Sequence, residues 1–159
     1  MNLPISLRPA QKSDEPFFYE VFKSVRVPEF AVLGLQPEHL EMLMKQQYEA
    51  RTGSYEAQFP DSGNSVVLSG ETPIGQFWVF RTPEEFLVVD IALLPDHRGS
   101  GIGATLMKQF MAEADAAAAP VRVTVATNNP GSLRFHQRLG FQITGQDAMY
   151  YTMEYRGAQ

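Results

Sequence analysis

Apolar and polar positions follow two rhythms along the chain. Short alternating runs trade places with helix-spaced apolar faces, and proline or glycine marks most of the changes. Ile5-Ser6-Leu7-Arg8 alternates and predicts a short strand ended by Pro9. Ser13-Asp14-Glu15-Pro16 then offers a helix start, with a capping residue, early acids and a proline in the first turn. Phe18, Val21, Phe22 and Val25 follow at helical spacing as core anchors, and Pro28 is expected to stop that helix. Pro37 starts a second helix, with Leu40, Leu43, Met44 and Tyr48 on one face and Glu41–Lys45 as an i,i+4 pair on another. From Arg51 to Asn64 the chain is polar, with Gly, Pro and Ser, and reads as a loop around a helical extension.

After Asn64 the pattern turns strand-like. Ser65 to Ser69 reads as a strand, Gly70-Glu71-Thr72 as a turn and Ile74 to Arg81 as the hairpin partner. Thr82-Pro83 leads into Phe86 to Leu94, the most apolar strand and the expected sheet centre. A glycine-rich turn, His97 to Gly103, precedes a helix with Ile102, Leu106, Met107, Phe110, Met111 and Ala114 on one face, ended by Pro120. Val121 to Val125 alternates as a strand, and Pro130 opens a short helix that closes at Leu139-Gly140. Phe141 to Thr144 and Met149 to Tyr155 complete the pattern as a last pair of strands. This order predicts an α/β fold, with a mixed central sheet of about seven strands flanked by about four helices. No repeat or linker interrupts it, so residues 1–159 are read as one domain.

Composition narrows the function classes. Hydrophobic residues at 44% and charged residues at 19% exclude a disordered chain. A chain of 159 residues is long enough to hold a core without a staple. There are no cysteines, which excludes disulfide scaffolds, thiol catalysis and cysteine-based zinc sites. The net charge of −5 argues against nonspecific binding to nucleic acid or to anionic membranes. Met1-Asn2-Leu3-Pro4 lacks the basic start and apolar run of a signal peptide. Phe86 to Leu94 is broken by Asp90 and is too short to span a bilayer. The expectation is a soluble, cytoplasmic protein.

Arg98-Gly99-Ser100-Gly101-Ile102-Gly103 sits between the central strand and a helix, where it forms an anion cradle. Glycines let the backbone approach a ligand, N–H groups point outward and the helix N-terminus adds partial positive charge. Arg98 supplies a full charge beside them. A P-loop would need a lysine after its last glycine, and Ala104-Thr105 stands there. A dinucleotide loop needs Gly-x-Gly-x-x-Gly, whereas this spacing is Gly-x-Gly-x-Gly with no ribose-binding acid at a suitable distance. The pyrophosphate loop of coenzyme A acetyltransferases, Arg/Gln-x-x-Gly-x-Gly/Ala, is matched by Arg98, Gly101 and Gly103. Taken alone, six residues are also compatible with a merely tight strand-to-helix turn.

Context adds to this match. The run Asp90 to Gly103 resembles the central strand and pyrophosphate loop of the GNAT superfamily of N-acetyltransferases. Asn128-Asn129-Pro130 and Leu139-Gly140-Phe141 resemble the start and end of that family's second cofactor-contacting helix. The resemblance covers Val66 to Tyr155, and before Asn64 only the order of elements agrees.

The resemblance implies acetyl-CoA as donor and a primary amine of a small molecule or peptide as acceptor, reacting directly in a ternary complex. Gly99, Ser100, Gly101, Ile102 and Gly103 would hold the pyrophosphate by backbone amides, with Arg98 alongside. Ile91 and Leu93 would offer backbone groups to the pantetheine arm, and a backbone N–H near Leu93 would stabilise charge on the thioester oxygen. Ser132 and Phe135 are carried over as further cofactor contacts. Asn129 has two roles open, a bond to the arm and a cap on the helix before Pro130.

The family usually places a tyrosine four residues before the glycine of the Gly-Phe pair, as acid for the departing thiolate. Here that position is His136, which either donates that proton or stands as a partly exposed histidine at the cofactor sulfur or in solvent. Asp90, the one acid in an apolar strand, is read as base or amine contact, or as a backbone partner where the sheet splays. Tyr150 and Tyr151 are further pocket-wall candidates, with strand packing as the other role. His39 and His97 are expected on the surface, and three scattered histidines make no metal site. The alternative function is a coenzyme A-binding regulatory module without turnover. The residues leave the acceptor's identity open, and also the dimer formation frequent in the family.

Overall fold

Strands and helices follow one another in the order the apolar pattern implies. The computed structural model describes residues 3–157; Met1 and Asn2, half of the tetrapeptide read for a leader, lie outside them. The elements are β1 (Ile5–Pro9), α1 (Glu15–Phe30), α2 (Pro37–Gln58), β2 (Gly63–Ser69), β3 (Thr72–Arg81) and β4 (Phe86–Leu93), followed by α3 (Ile102–Ala116), β5 (Val121–Ala126), α4 (Pro130–Arg138), β6 (Gln142–Gln146) and β7 (Tyr150–Tyr155). The fold class is α/β, with a seven-stranded mixed sheet in the order β1-β2-β3-β4-β5-β7-β6. β4, the most apolar run, holds the central place.

By internal contacts the chain divides into two compact units. One takes the described residues up to Trp78 together with Asp90–Ser100, and the other takes Val79–Val89 and the chain from Gly101 onward.

In the first unit β1 and β2 pair antiparallel, from Ile5 opposite Ser69 to Pro9 opposite Ser65. Its core includes Phe18, Val21, Phe22, Met44, Val66, Val67, Ile74, Phe77 and Trp78. Each such side chain contributes about 1.5–3 kcal/mol by leaving water. Val25, read as a core anchor, is half-buried. Expectations are revised at three places here. α1 runs through Pro28 to Phe30 rather than stopping. The chain then tightens into a 3-10 turn at Ala31–Leu33 that ends at Gly34, so the helix persists by less than a turn. α2 continues past Arg51 to Gln58, so the helical extension read within the loop takes the longer part of it. Packing overrides propensity: Tyr55 meets Trp78 edge-on at 5.5 Å, and the Tyr48 ring lies 5.5 Å from Phe22. Such contacts outweigh the roughly 1 kcal/mol that Gly53 costs inside a helix. Glu41 reaches across to α1, accepting from the Tyr19 hydroxyl at 2.8 Å and facing Lys23 Nζ at 3.5 Å, rather than pairing with Lys45.

In the second unit β5 lies between two partners. It runs parallel to β4 over Phe86–Val88 and antiparallel to β7 along its whole length. β6 pairs β7 with a register shift between Ile143 and Gly145. α3 buries Leu106, Met107, Phe110, Met111 and Ala114, the face the sequence marks, and Phe110 meets Phe86 at 5.3 Å. Phe141, expected to open a strand, instead closes α4. Its N–H bonds the His136 carbonyl at 3.0 Å while the Gly140 N–H bonds that of Gln137.

Candidate active site

The end of β4 is held from one side by β3. Gly75 lets the two strands approach closely: a methyl group there would overlap the Ala92 carbonyl oxygen and stand 2.8 Å from Leu93 Cδ2. Ile91 and Leu93 are half-buried and lie beyond the Phe86–Val88 stretch that is in register with β5. Asp90 is half-buried too, and its carboxylate is ion-paired with Arg51 Nη2 from α2. None of the roles read for Asp90 in the sequence, base, amine contact or backbone partner, anticipates this arginine. The Arg51 guanidinium lies over two rings, 5.2 Å from the centre of Phe22 and 5.3 Å from that of Tyr55. That stacking fixes the arginine in place.

Arg98 opens the glycine turn. Its Nε donates to the Leu93 carbonyl at 2.8 Å and its Nη2 to Ser24 Oγ at 3.2 Å. Ser24 Oγ donates in turn to the Val21 carbonyl at 2.7 Å. The arginine therefore ties the start of the turn to the end of β4 and to α1. Beyond it, Gly99 and Gly101 take left-handed φ values of 75° and 85°, which disfavour any side chain. Nothing lies within 4 Å of where a Cβ would stand at either residue. Ser100 is exposed, and its hydroxyl donates to the His97 carbonyl at 3.2 Å. Ile102 and Gly103 form the first residues of α3, whose N-cap is Gly101. Exposed backbone and open space before a fifteen-residue helix fit an anion held by N–H groups.

α4 carries the remaining candidates. Asn129 caps it, its Oδ1 accepting from the Ser132 N–H at 3.1 Å. The capping role is thus present, and it leaves the amide nitrogen of Asn129 as a donor. One turn later the Ser132 carbonyl accepts from His136 Nδ1 at 2.8 Å. A carbonyl oxygen only accepts, so Nδ1 carries the ring proton. His136 is 3% exposed, which rules out the solvent-facing reading. Its ring is wedged edge-on between half-buried Phe135 at 5.0 Å and Phe141 at 5.4 Å. Its Nε2 is buried with no hydrogen-bond partner among the described residues. Burial holds its pKa below the ordinary 6.5, against the smaller opposing pull of the Ser132 carbonyl. At neutral pH the ring is uncharged, and Nε2 presents a lone pair.

The structure thus joins Asp90, Leu93 and Arg98 at one end of β4, and Asn129, Ser132, Phe135 and His136 along α4. Arg51, Ser24 and Gly75 belong to the first group and escaped the sequence reading. An isolated glycine inside a strand pattern was the available signal for Gly75. Tyr150 is exposed and Tyr151 half-buried on β7, His39 is exposed and His97 half-buried. Among the described residues no group of three or more His, Asp or Glu side chains could hold a metal ion, and no helix is long and apolar enough to cross a membrane.

Comparisons with known proteins bear on the family and the fold. The family model described as "Acetyltransferase (GNAT) family" matches residues 32–141. The L-amino acid N-acyltransferase MnaT of Escherichia coli (strain K12) is 27% identical over 143 residues, covering 89% of this chain and 82% of that protein. Among solved structures, the PaiA N-acetyltransferase of Thermoplasma acidophilum in complex with coenzyme A superimposes with a TM-score of 0.71 at 18% identity, covering 97% of this chain and 99% of that one. A GNAT family acetyltransferase of Elizabethkingia anophelis with acetyl-CoA bound gives 0.61 at 15% identity, covering 96% and 97%. The two structural likenesses are likenesses of fold.

Proposed function

The chain belongs to the acetyltransferase (GNAT) family and is an N-acetyltransferase, and from that premise we propose that it moves the acetyl group of acetyl-CoA to a primary amine by direct attack. Residues 1–159 act as one catalytic domain in the cytoplasm, with donor and acceptor bound together. The observation that carries this reading is the pair of left-handed glycines, Gly99 and Gly101, with open space where side chains would stand at the start of α3.

When bound, acetyl-CoA supplies the activated acetyl thioester. Gly99 to Gly103 bind its pyrophosphate through backbone N–H groups and the partial charge of the α3 N-terminus. Arg98 adds its charge while bracing Leu93. Ile91 and Leu93 offer backbone groups to the pantetheine arm, and the Leu93 region donates an N–H to the thioester oxygen as charge builds there. Asn129 Nδ2, Ser132 and Phe135 contact the arm from α4. A C–N bond forms as the C–S bond breaks, the amine nitrogen loses a proton and the sulfur gains one.

His136 and Asp90 serve those proton movements. With Nδ1–H spent on Ser132, only Nε2 of His136 can exchange a proton. A neutral ring accepts there, so His136 must take a proton before it can give one to sulfur. Asp90 holds the incoming amine. The name of the Escherichia coli relative, an L-amino acid N-acyltransferase, makes α-amino groups the first acceptors to try.

Titration calorimetry with acetyl-CoA and thiol release across a panel of primary amines test the reading together. Micromolar binding and amine-dependent thiol release are expected. Tight binding with no release from any amine would instead identify the regulatory module without turnover.

A further inference from the structure

We infer that Arg51 and Asp90 form a two-charge docking point for the acceptor, and that the acceptor is an α-amino acid bound as its zwitterion. The carboxylate sits on Arg51 and the α-amino group on Asp90. The inference rests on the assignment of β4 to the cofactor, because Asp90 directly precedes Ile91 and Leu93.

The pair stands apart from the others in the molecule. Among the described ion pairs it alone has both side chains at a quarter exposure or less, 14% for Arg51 and 25% for Asp90. Arg81–Glu113, at 46% and 51%, is bathed in water, and the remaining pairs each have at least one side chain exposed by more than a third. Arg51–Asp90 is sheltered enough for its charges to matter and open enough for a small molecule to reach.

Its chemistry matches one ligand class. An α-amino acid carries a carboxylate and an ammonium on one carbon, the same two charges that Asp90 and Arg51 present to each other. Inserting the zwitterion replaces one internal pair by two intermolecular pairs and leaves no charge unmatched. A plain amine drawing Asp90 away would strand the guanidinium without a carboxylate, which is costly in a sheltered place. The arginine is prepared for the exchange. Phe22 and Tyr55 keep the guanidinium in position when the carboxylate turns. Among the described residues only Nη2 of its donors is engaged in a hydrogen bond, so two parallel bonds to an incoming carboxylate are available.

The test compares L-leucine and L-phenylalanine with their decarboxylated amines, 3-methylbutylamine and phenethylamine, and then scans the other common L-amino acids. Thiol release at saturating acetyl-CoA gives kcat/KM for each. Wild-type protein should favour an L-amino acid over its decarboxylated amine by about 100-fold, below the ratios reached where buried polar groups select a substrate. In Arg51→Gln that ratio should fall to about threefold or less. Arg51→Gln leaves Asp90 unpaired, so Arg51→Gln with Asp90→Asn, which removes both charges at near-constant shape, is measured beside it and should show the same collapse. A wild-type ratio near one, a preference for the decarboxylated amine, or a ratio unchanged in both variants would overturn the inference while leaving the acetyltransferase reading intact. Absence of thiol release with every amine would overturn both.

Discussion

The end of β4 and the middle of α4 hold their ionisable side chains in opposite ways. Asp90 is partly buried and already paired with an arginine that two aromatic rings fix in place. His136 is buried and uncharged, with one nitrogen tied to a carbonyl and the other without a hydrogen-bond partner among the described residues. A buried acceptor without a partner costs roughly 1–3 kcal/mol, and a paired carboxylate carries no such penalty. The difference separates two tasks that a bare reading of residue types runs together. In the proposed reaction the carboxylate would hold the amine by exchanging partners, whereas the imidazole would change charge when something reaches it.

The contrast can be broken from either side. The largest effect is expected at β3. Gly75→Val should cost about 3 kcal/mol of stability, because the added methyl groups overlap the Ala92 carbonyl and β4 cannot retreat without losing Asp90 and Leu93. Thermal unfolding would show this as a fall of about 6–12 °C, and a fall of under about 2 °C would mean that the strands are not held so closely.

At α4, His136→Phe keeps the aromatic packing and removes both nitrogens. Turnover should drop about 100-fold while acetyl-CoA affinity changes by less than about twofold, as expected for a proton-transfer group. Unchanged turnover would reduce His136 to packing. Arg98→Ala should weaken acetyl-CoA binding by about tenfold, near 1.4 kcal/mol, through loss of both charge and the Leu93 brace. Equal affinity by calorimetry would remove the turn from the cofactor site.

The smallest effect is a pH slope. The folded-state pKa of His136 is depressed, so below pH 6.5 the unfolded chain binds a proton that the folded chain refuses. Stability should fall as pH drops from about 6.5 toward the folded pKa, by at most about 1.4 kcal/mol per pH unit, and stay flat above about 6.5. Denaturant melts of wild type and His136→Phe would differ by that slope, and parallel curves would place the ring in a solvated setting.

Much of what is local in the chain was legible beforehand. Six consecutive residues set the glycine turn, because left-handed glycines at 99 and 101 and a helix start at 102 need no distant partner. α4 was readable in its start and its cap, Asn129 three residues ahead, whereas the burial of His136 and its bond four residues back were not anticipated. Arg51 and Asp90 lie 39 positions apart, and nothing near either residue announces the other. Gly53 and Ser54 made the neighbourhood of Arg51 look like a loop, since weak helix formers are held helical there by Tyr55 on Trp78. Pro28 misled for the converse reason. It removes one hydrogen bond, but α1 had already buried Phe18, Val21 and Phe22, so the break was deferred by two residues.

Direct transfer between two bound substrates is the central claim, and an initial-velocity matrix of acetyl-CoA against an accepted amine tests it most directly. Double-reciprocal lines that intersect, with one N-acetylated product formed per thiol released, are the predicted result. Parallel lines, with thiol appearing before any amine is added, would mean that the acetyl group rests first on the protein and would contradict the account.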